Sequence, residues 1–155
     1  MTANAFTQPV LQNIGAKWFR VYVAYTYEWK KDGECYRLVI PAGFECDGGS
    51  VPRAFWTPSG IVPTGVIGAA ATLHDYIYAS CGALPPGSYL RLAGESWQPL
   101  SDVWSRYNAD RLFCRVMKEA GMRWLKRRIA YRAVRWFGGI PWAHHKKALA
   151  ARLPA

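Results

Sequence analysis

Lys17-Trp18-Phe19-Arg20-Val21-Tyr22-Val23-Ala24-Tyr25-Thr26-Tyr27-Glu28-Trp29 alternates along its whole length. Phe19, Val21, Val23, Tyr25, Tyr27 and Trp29 fall on one side, and Arg20, Tyr22, Thr26 and Glu28 on the other. A period of two in β-branched and aromatic residues is the signature of a strand, so one long strand is expected here. Residues 30–34 follow with Asp32-Gly33, a pair that suits a tight hairpin because both central residues can take positive φ. Residues 35–40 then return as a second strand, broken at Pro41-Ala42-Gly43 before a short extended piece at 44–46. An antiparallel sheet is expected over residues 17–47.

Beyond this sheet the spacing becomes helical. Residues 64–80 are rich in Ala and carry His74, Ile77 and Tyr78 at helical intervals. Two more core helices are expected at 101–120, stopped by Gly121, and at 122–137, stopped by Gly138-Gly139. Residues 81–100 hold Pro85-Pro86-Gly87 and Ala93-Gly94-Glu95 and read as a loop insertion or a small hairpin. Pro141 suits the start of a last short helix inside a basic tail, 138–155. The fold class expected is α+β: a small N-terminal antiparallel sheet packed on a C-terminal bundle of three to four helices, in one domain over residues 1–155.

Composition narrows the classes. Of the 155 residues, 51% are hydrophobic and 15% aromatic, which excludes a disordered polymer. The longest apolar run, 61–73, is shorter than the roughly 20 residues of a membrane helix and holds Pro63, Gly65 and Gly68, so no transmembrane segment is expected. Residues 1–12 lack the regions of a signal peptide, and synthesis in a bacterial cytoplasm is the expectation. The net charge of +10 sits at one end: residues 115–155 hold eleven Lys and Arg against Glu119 alone. Such a segment can meet an anionic membrane or nucleic acid, or be a solvated helix face; the last is favoured, nucleic acid is not. Tyr78, Phe113 and Trp124 are assigned to the core. Cys35, Cys46, Cys81 and Cys114 form no CxxC pair, so free thiols are expected, with Cys35–Cys46 and Cys81–Cys114 bridges left open.

Three polar islands interrupt the apolar segments. They are Cys46-Asp47-Gly48-Gly49-Ser50-Val51-Pro52-Arg53, Leu73-His74-Asp75-Tyr76-Ile77-Tyr78 and Arg106-Tyr107-Asn108-Ala109-Asp110-Arg111-Leu112-Phe113. Burying ionisable groups costs several kcal/mol unless they are paired, ligated or used. On a helix His74 and Tyr78 share a face, while Asp75 points about 100° away. Asp110, Phe113, Cys114 and Met117 form one stripe that is apolar except for the carboxylate. If the two helices pack together, Asp110 can reach the imidazole, the arrangement of a general base held by an acid. The same residues also suit a satisfied buried pair, and Asp47 suits a brace for its Gly-rich turn. Arg53 suits either a partner of Asp47 or Asp75 or, with Ser50, a contact to an anionic substrate. A nucleophile elbow, P-loop, HExxH motif and dinucleotide fingerprint are all absent.

The run DGGSVPR, HDYIY and NADRLF, followed by Ala133-Val134-Arg135 and Phe137-Gly138, resembles a phage- and prophage-borne family of unknown function with the pattern DGxSxPR…HDxxY…ADxxF, over roughly residues 35–142. The resemblance implies a viral or prophage origin and no particular activity. HDxxY with a later D-x-x-F helix is also similar to the catalytic helix pair of secreted phospholipase A2. That likeness implies His74 as the base that activates water, Asp75 as a calcium ligand, Tyr78 as a supporting hydroxyl and Asp110 as the acid that orients the imidazole. The calcium loop and the disulfide framework of that family are missing, and Asp47-Gly48-Gly49 is the substitute source of metal oxygens. The expectation is a phage-encoded hydrolase of the bacterial envelope, acting on phospholipid or peptidoglycan. Its catalytic residues would be His74, Asp110 and Tyr78, with a divalent metal, calcium or zinc, at Asp75 and Asp47. The alternative is a non-enzymatic phage protein, either a tail or baseplate component that meets other structural proteins of the virion or an accessory factor that binds a host partner.

Overall fold

The computed structural model describes residues 6–15, 18–47 and 67–151. Two antiparallel sheets come from the first two thirds of the chain, with one helix set between their strands and three more helices after them, an α+β arrangement as expected. Strands β1 (Leu11–Asn13), β2 (Phe19–Val21) and β5 (Glu45–Cys46) form a three-stranded sheet in the order β1-β2-β5. Strands β3 (Tyr25–Lys31), β4 (Glu34–Ile40), β6 (Tyr89–Ala93) and β7 (Ser96–Pro99) form a second sheet in the order β3-β4-β6-β7.

The single long strand expected over 17–29 is therefore two strands in different sheets. Its first part is held by Val21 N–H donating to the Phe44 carbonyl (2.8 Å) and Tyr22 N–H donating to that of Val10 (2.9 Å). Its second part begins at Tyr25, opposite Ile40, the last residue of β4. Pro41 has no N–H to extend that ladder. Gly43, at φ 87°, turns the chain back so that β5 pairs with β2 instead. Val23 sits between the two ladders and is exposed, whereas Val21, Tyr25, Tyr27 and Trp29 keep their inward phase and are buried.

The hairpin is as read: Asp32 (φ 51°) and Gly33 (φ 86°) join Lys31 to its partner Glu34. Residues 81–100 do contain a small hairpin, β6–β7, which extends the same sheet by pairing Tyr89 with Leu38. Half of the larger sheet thus comes from the middle of the chain.

The helices are α1 (Gly68–Ala79), α2 (Arg106–Glu119), α3 (Trp124–Phe137) and α4 (Gly139–Ala150). Helix α2 starts five residues later than Ser101 because Ser105 is its N-cap, accepting from the Asn108 N–H at 3.1 Å. It stops where expected. Gly121 (φ 83°) donates to the Lys118 carbonyl and Met122 to that of Met117, the paired bonds of a Schellman turn. The last short helix expected from Pro141 within the basic tail is present and longer, running over 139–150 and packing on α1 and α3. Helix α1 lies at the centre, against α2, α4 and β5, and is buried from Gly68 to Tyr78. The four cysteines are free thiols, of which Cys46 is buried. No helix among the described residues is long and apolar enough to cross a membrane.

Candidate functional site

The lone carboxylate on the apolar stripe of α2 enters the helix core. Asp110 is fully buried there, beside Ala109, Leu112, Phe113, Val116 and Met117. Each of its oxygens is occupied. Oδ1 accepts from His74 Nε2 at 2.9 Å and from the Tyr78 hydroxyl at 2.6 Å. Oδ2 accepts from an Arg135 guanidinium nitrogen at 2.7 Å, and Arg106 lies 3.7 Å from the same oxygen. One acid therefore joins α1, through His74 and Tyr78, to α2 and α3.

The bonding fixes the imidazole tautomer. An ionised carboxylate only accepts hydrogen bonds, so His74 Nε2 must carry a proton. The neutral ring then has its lone pair on Nδ1. That nitrogen is 3.8 Å from Asp75 Oδ1, beyond direct hydrogen-bond reach. The ring plane is held by Tyr78 (centroids 4.0 Å apart) and Phe113 (5.1 Å). His74 is 2% exposed and Asp75 is 8% exposed, so among the described members of the cluster Asp75 lies nearest the surface on the Nδ1 side.

Charge and burial pull these groups in opposite directions. Burial penalises the imidazolium, but the hydrogen bond to Asp110 and the nearby carboxylates of Asp75 and Asp110 outweigh it and raise the His74 pKa above its ordinary value. Burial likewise opposes ionisation of Asp110, and the donors His74, Tyr78 and Arg135 overcome it, so its pKa lies below the usual carboxylate value. The Tyr78 phenol is pushed far up, first by burial and then by the neighbouring carboxylate, and stays a proton donor. The result is an ionised Asp110 and a histidine that is a stronger base than in water.

The structure thus gathers His74, Asp75, Tyr78 and Asp110. Asp47 stands exposed at the end of β5, the strand that abuts α1, with the Phe44 ring edge-on to Tyr76 at 5.0 Å. Ser50 and Arg53 lie outside the described residues. Asp75 supplies one carboxylate at the Nδ1 side, short of the ~6–8 oxygens calcium takes. Among the described residues no three His, Cys, Asp or Glu side chains gather to hold a metal.

Two members of the cluster were not picked out from sequence. Arg106 stands four residues before Asp110, a spacing that brings side chains together on a helix and would have marked it. It also donates to the Arg135 carbonyl at 3.1 Å. Arg135 lay hidden among the other basic residues of its helix, since charge pattern does not say which one turns inward. A cleft of about 1100 Å³ lies elsewhere. Trp29, Tyr36, Tyr89, Trp104 and Arg111 help to line it, and His74 and Asp110 do not.

A family model described as "Protein of unknown function (DUF1353)" matches residues 19–134, from β2 to the residue before Arg135. No curated protein matches the chain, and no solved structure does.

Proposed function

The chain belongs to the DUF1353 family, whose function is unknown; from its own side chains we propose that it is a hydrolase of the bacterial envelope with His74 as general base. One observation carries this reading: Asp110 holds the His74 proton on Nε2 and leaves the Nδ1 lone pair on the side of Asp75. A water donating to Nδ1 would lose its proton there as its oxygen bonds to an ester or amide carbonyl carbon. As the tetrahedral adduct collapses, the leaving oxygen or nitrogen takes the proton from Nδ1 and departs as alcohol or amine, leaving the carboxylic acid and a neutral imidazole. Asp110 stabilises the imidazolium between the two steps, and Tyr78 and Arg135 keep that carboxylate in place. These are the roles that the likeness to secreted phospholipase A2 implies for His74, Tyr78 and Asp110. A divalent metal at Asp75 with Asp47, a phage or prophage origin, and synthesis in the host cytoplasm belong to the same proposal.

The test is hydrolysis of phospholipid vesicles and of peptidoglycan by purified protein, with and without added calcium or zinc. Activity should vanish in His74→Ala and fall steeply in Asp110→Asn. It should rise with pH through the raised His74 pKa, because the neutral ring is the base. No turnover on either substrate, or a His74→Ala protein as active as the parent, sinks the proposal.

A second reading has its own support in the depth of the cluster. His74 and Asp110 are sealed, and both oxygens of the acid are filled by protein donors. On this reading the cluster only ties three helices together, in a non-enzymatic phage protein. Substitutions would then change stability and nothing else.

A further inference from the structure

Helix α3 is turned inside out relative to an ordinary surface helix. Its buried side chains are the small ones, Ala130, Ala133 and Val134. Its large apolar side chains face away from the protein: Leu125 is 57% exposed and Trp136 72%, with Ile129 also exposed. Ile140, just past the end of the helix, is 76% exposed. Positions 125, 129, 132 and 136 lie on one side at helical spacing, so this is a stripe rather than scattered residues. Arg128 and Arg132 are exposed and stand within it. Trp124, assigned to the core from sequence, is exposed at the start of the helix, with the Arg128 guanidinium 5.6 Å from its ring.

Contiguous exposed apolar side chains mark a surface that something covers. A second copy of the chain fits poorly, because a two-fold contact through this face doubles the like charge of Arg128 and Arg132 in one seam with no carboxylate of the stripe to offset it. Nucleic acid would suit the arginines but not Leu125, Ile129 and Ile140, which offer bases no ring to stack on. An anionic bilayer suits both components. Aliphatic and indole side chains enter the boundary between headgroups and acyl chains, while Arg stems reach back to the phosphates. Only Glu119 opposes the basic residues from 115 onward, so the charge of the whole segment is complementary to such a surface. We propose that the outer face of α3, formed by Leu125, Arg128, Ile129, Arg132, Trp136 and the adjoining Ile140, docks the protein on anionic phospholipid membranes. This inference does not rest on the chemistry assigned to His74.

Co-sedimentation with phosphatidylcholine vesicles, with and without phosphatidylglycerol, tests it. The full chain carrying His74→Ala is used so that turnover cannot alter the lipid. Binding is expected with phosphatidylglycerol only, together with a blue shift of tryptophan emission. Leu125→Ser with Trp136→Ser should weaken it roughly tenfold or more, as losing two apolar anchors does. Arg128→Glu with Arg132→Glu should abolish the preference for phosphatidylglycerol. Because all four side chains are exposed, an unchanged melting temperature confirms that the variants are folded. Three results overturn the proposal: no binding to either vesicle, equal binding by the serine variant, or a dimer in solution that Trp136→Ser dissociates.

Discussion

Helices α1 and α4 are each twelve residues long and lie in contact, yet they follow opposite rules. Helix α1 is buried at eleven consecutive positions, including His74 and Asp75, and α4 has no fully buried residue. In α4, His144, Lys146 and Lys147 are exposed and keep their hydration. In α1 the same kind of group loses water and must recover the cost from protein partners. That is why Asp110, on the neighbouring helix, is filled on both oxygens while the tail charges stand largely apart. Polar residues in this protein are informative where the chain has buried them, and much less so where they are merely numerous.

The sharpest way to break that contrast is at Asp110. Asp110→Leu removes the acceptor for His74, Tyr78 and Arg135 together. Leaving buried donors and charge without a partner should cost about 3–5 kcal/mol, the usual penalty for halving a buried ion pair. Asp110→Asn keeps one carbonyl oxygen and should cost less, about 1–3 kcal/mol. Chemical denaturation of the three proteins gives the order. If the Leu variant loses under about 1 kcal/mol, the cluster does not hold α1, α2 and α3 together.

How far this arrangement could be read beforehand differs between its parts. The hairpin turn was legible because Asp32-Gly33 encodes its geometry locally. So was the meeting of His74 with Asp110, since a single carboxylate on an otherwise apolar stripe has to find a partner inside. The break after Val21 was not, because the alternation keeps its phase while the strand changes sheets. Pairing of β6 with β4 joins residues some fifty positions apart, and local pattern does not encode it. Arg135 escaped for a related reason: the five basic residues before it, Arg123, Lys126, Arg127, Arg128 and Arg132, carry the same chemical signature, and only the packing of α3 on α2 selects one. Trp124, assigned to the core, stands exposed instead, because its aromatic character does not say which side of the helix it occupies.

The joint between the contrasted helices offers a milder test. Gly138 ends α3 directly before α4, and a Cβ there would meet the Val134 carbonyl and lie 2.6 Å from the Tyr78 hydroxyl. That hydroxyl is bonded to Asp110, so it cannot swing away without giving up the bond. Gly138→Ala should therefore destabilise by about 1–3 kcal/mol through overcrowding, although Ala is the better helix former. A gain in stability would mean that the joint has room and that Tyr78 is not pinned.

The smallest effect is expected on α4 itself. Lys146→Ala with Lys147→Ala changes two exposed side chains that accept no burial cost, and the midpoint of denaturation should move by no more than about 0.5 kcal/mol in energy. The helix is anchored instead by Trp142, whose ring stands edge-on to Tyr78 at 4.9 Å and whose carbonyl faces the Cys81 thiol at 3.6 Å. Tyr78 is thus shared: its hydroxyl serves Asp110 and its ring face seats α4. If the double lysine variant were strongly destabilised, charge on α4 would be structural after all. The difference between a buried helix that needs every polar group paired and an outer helix that does not would then fail at its second half.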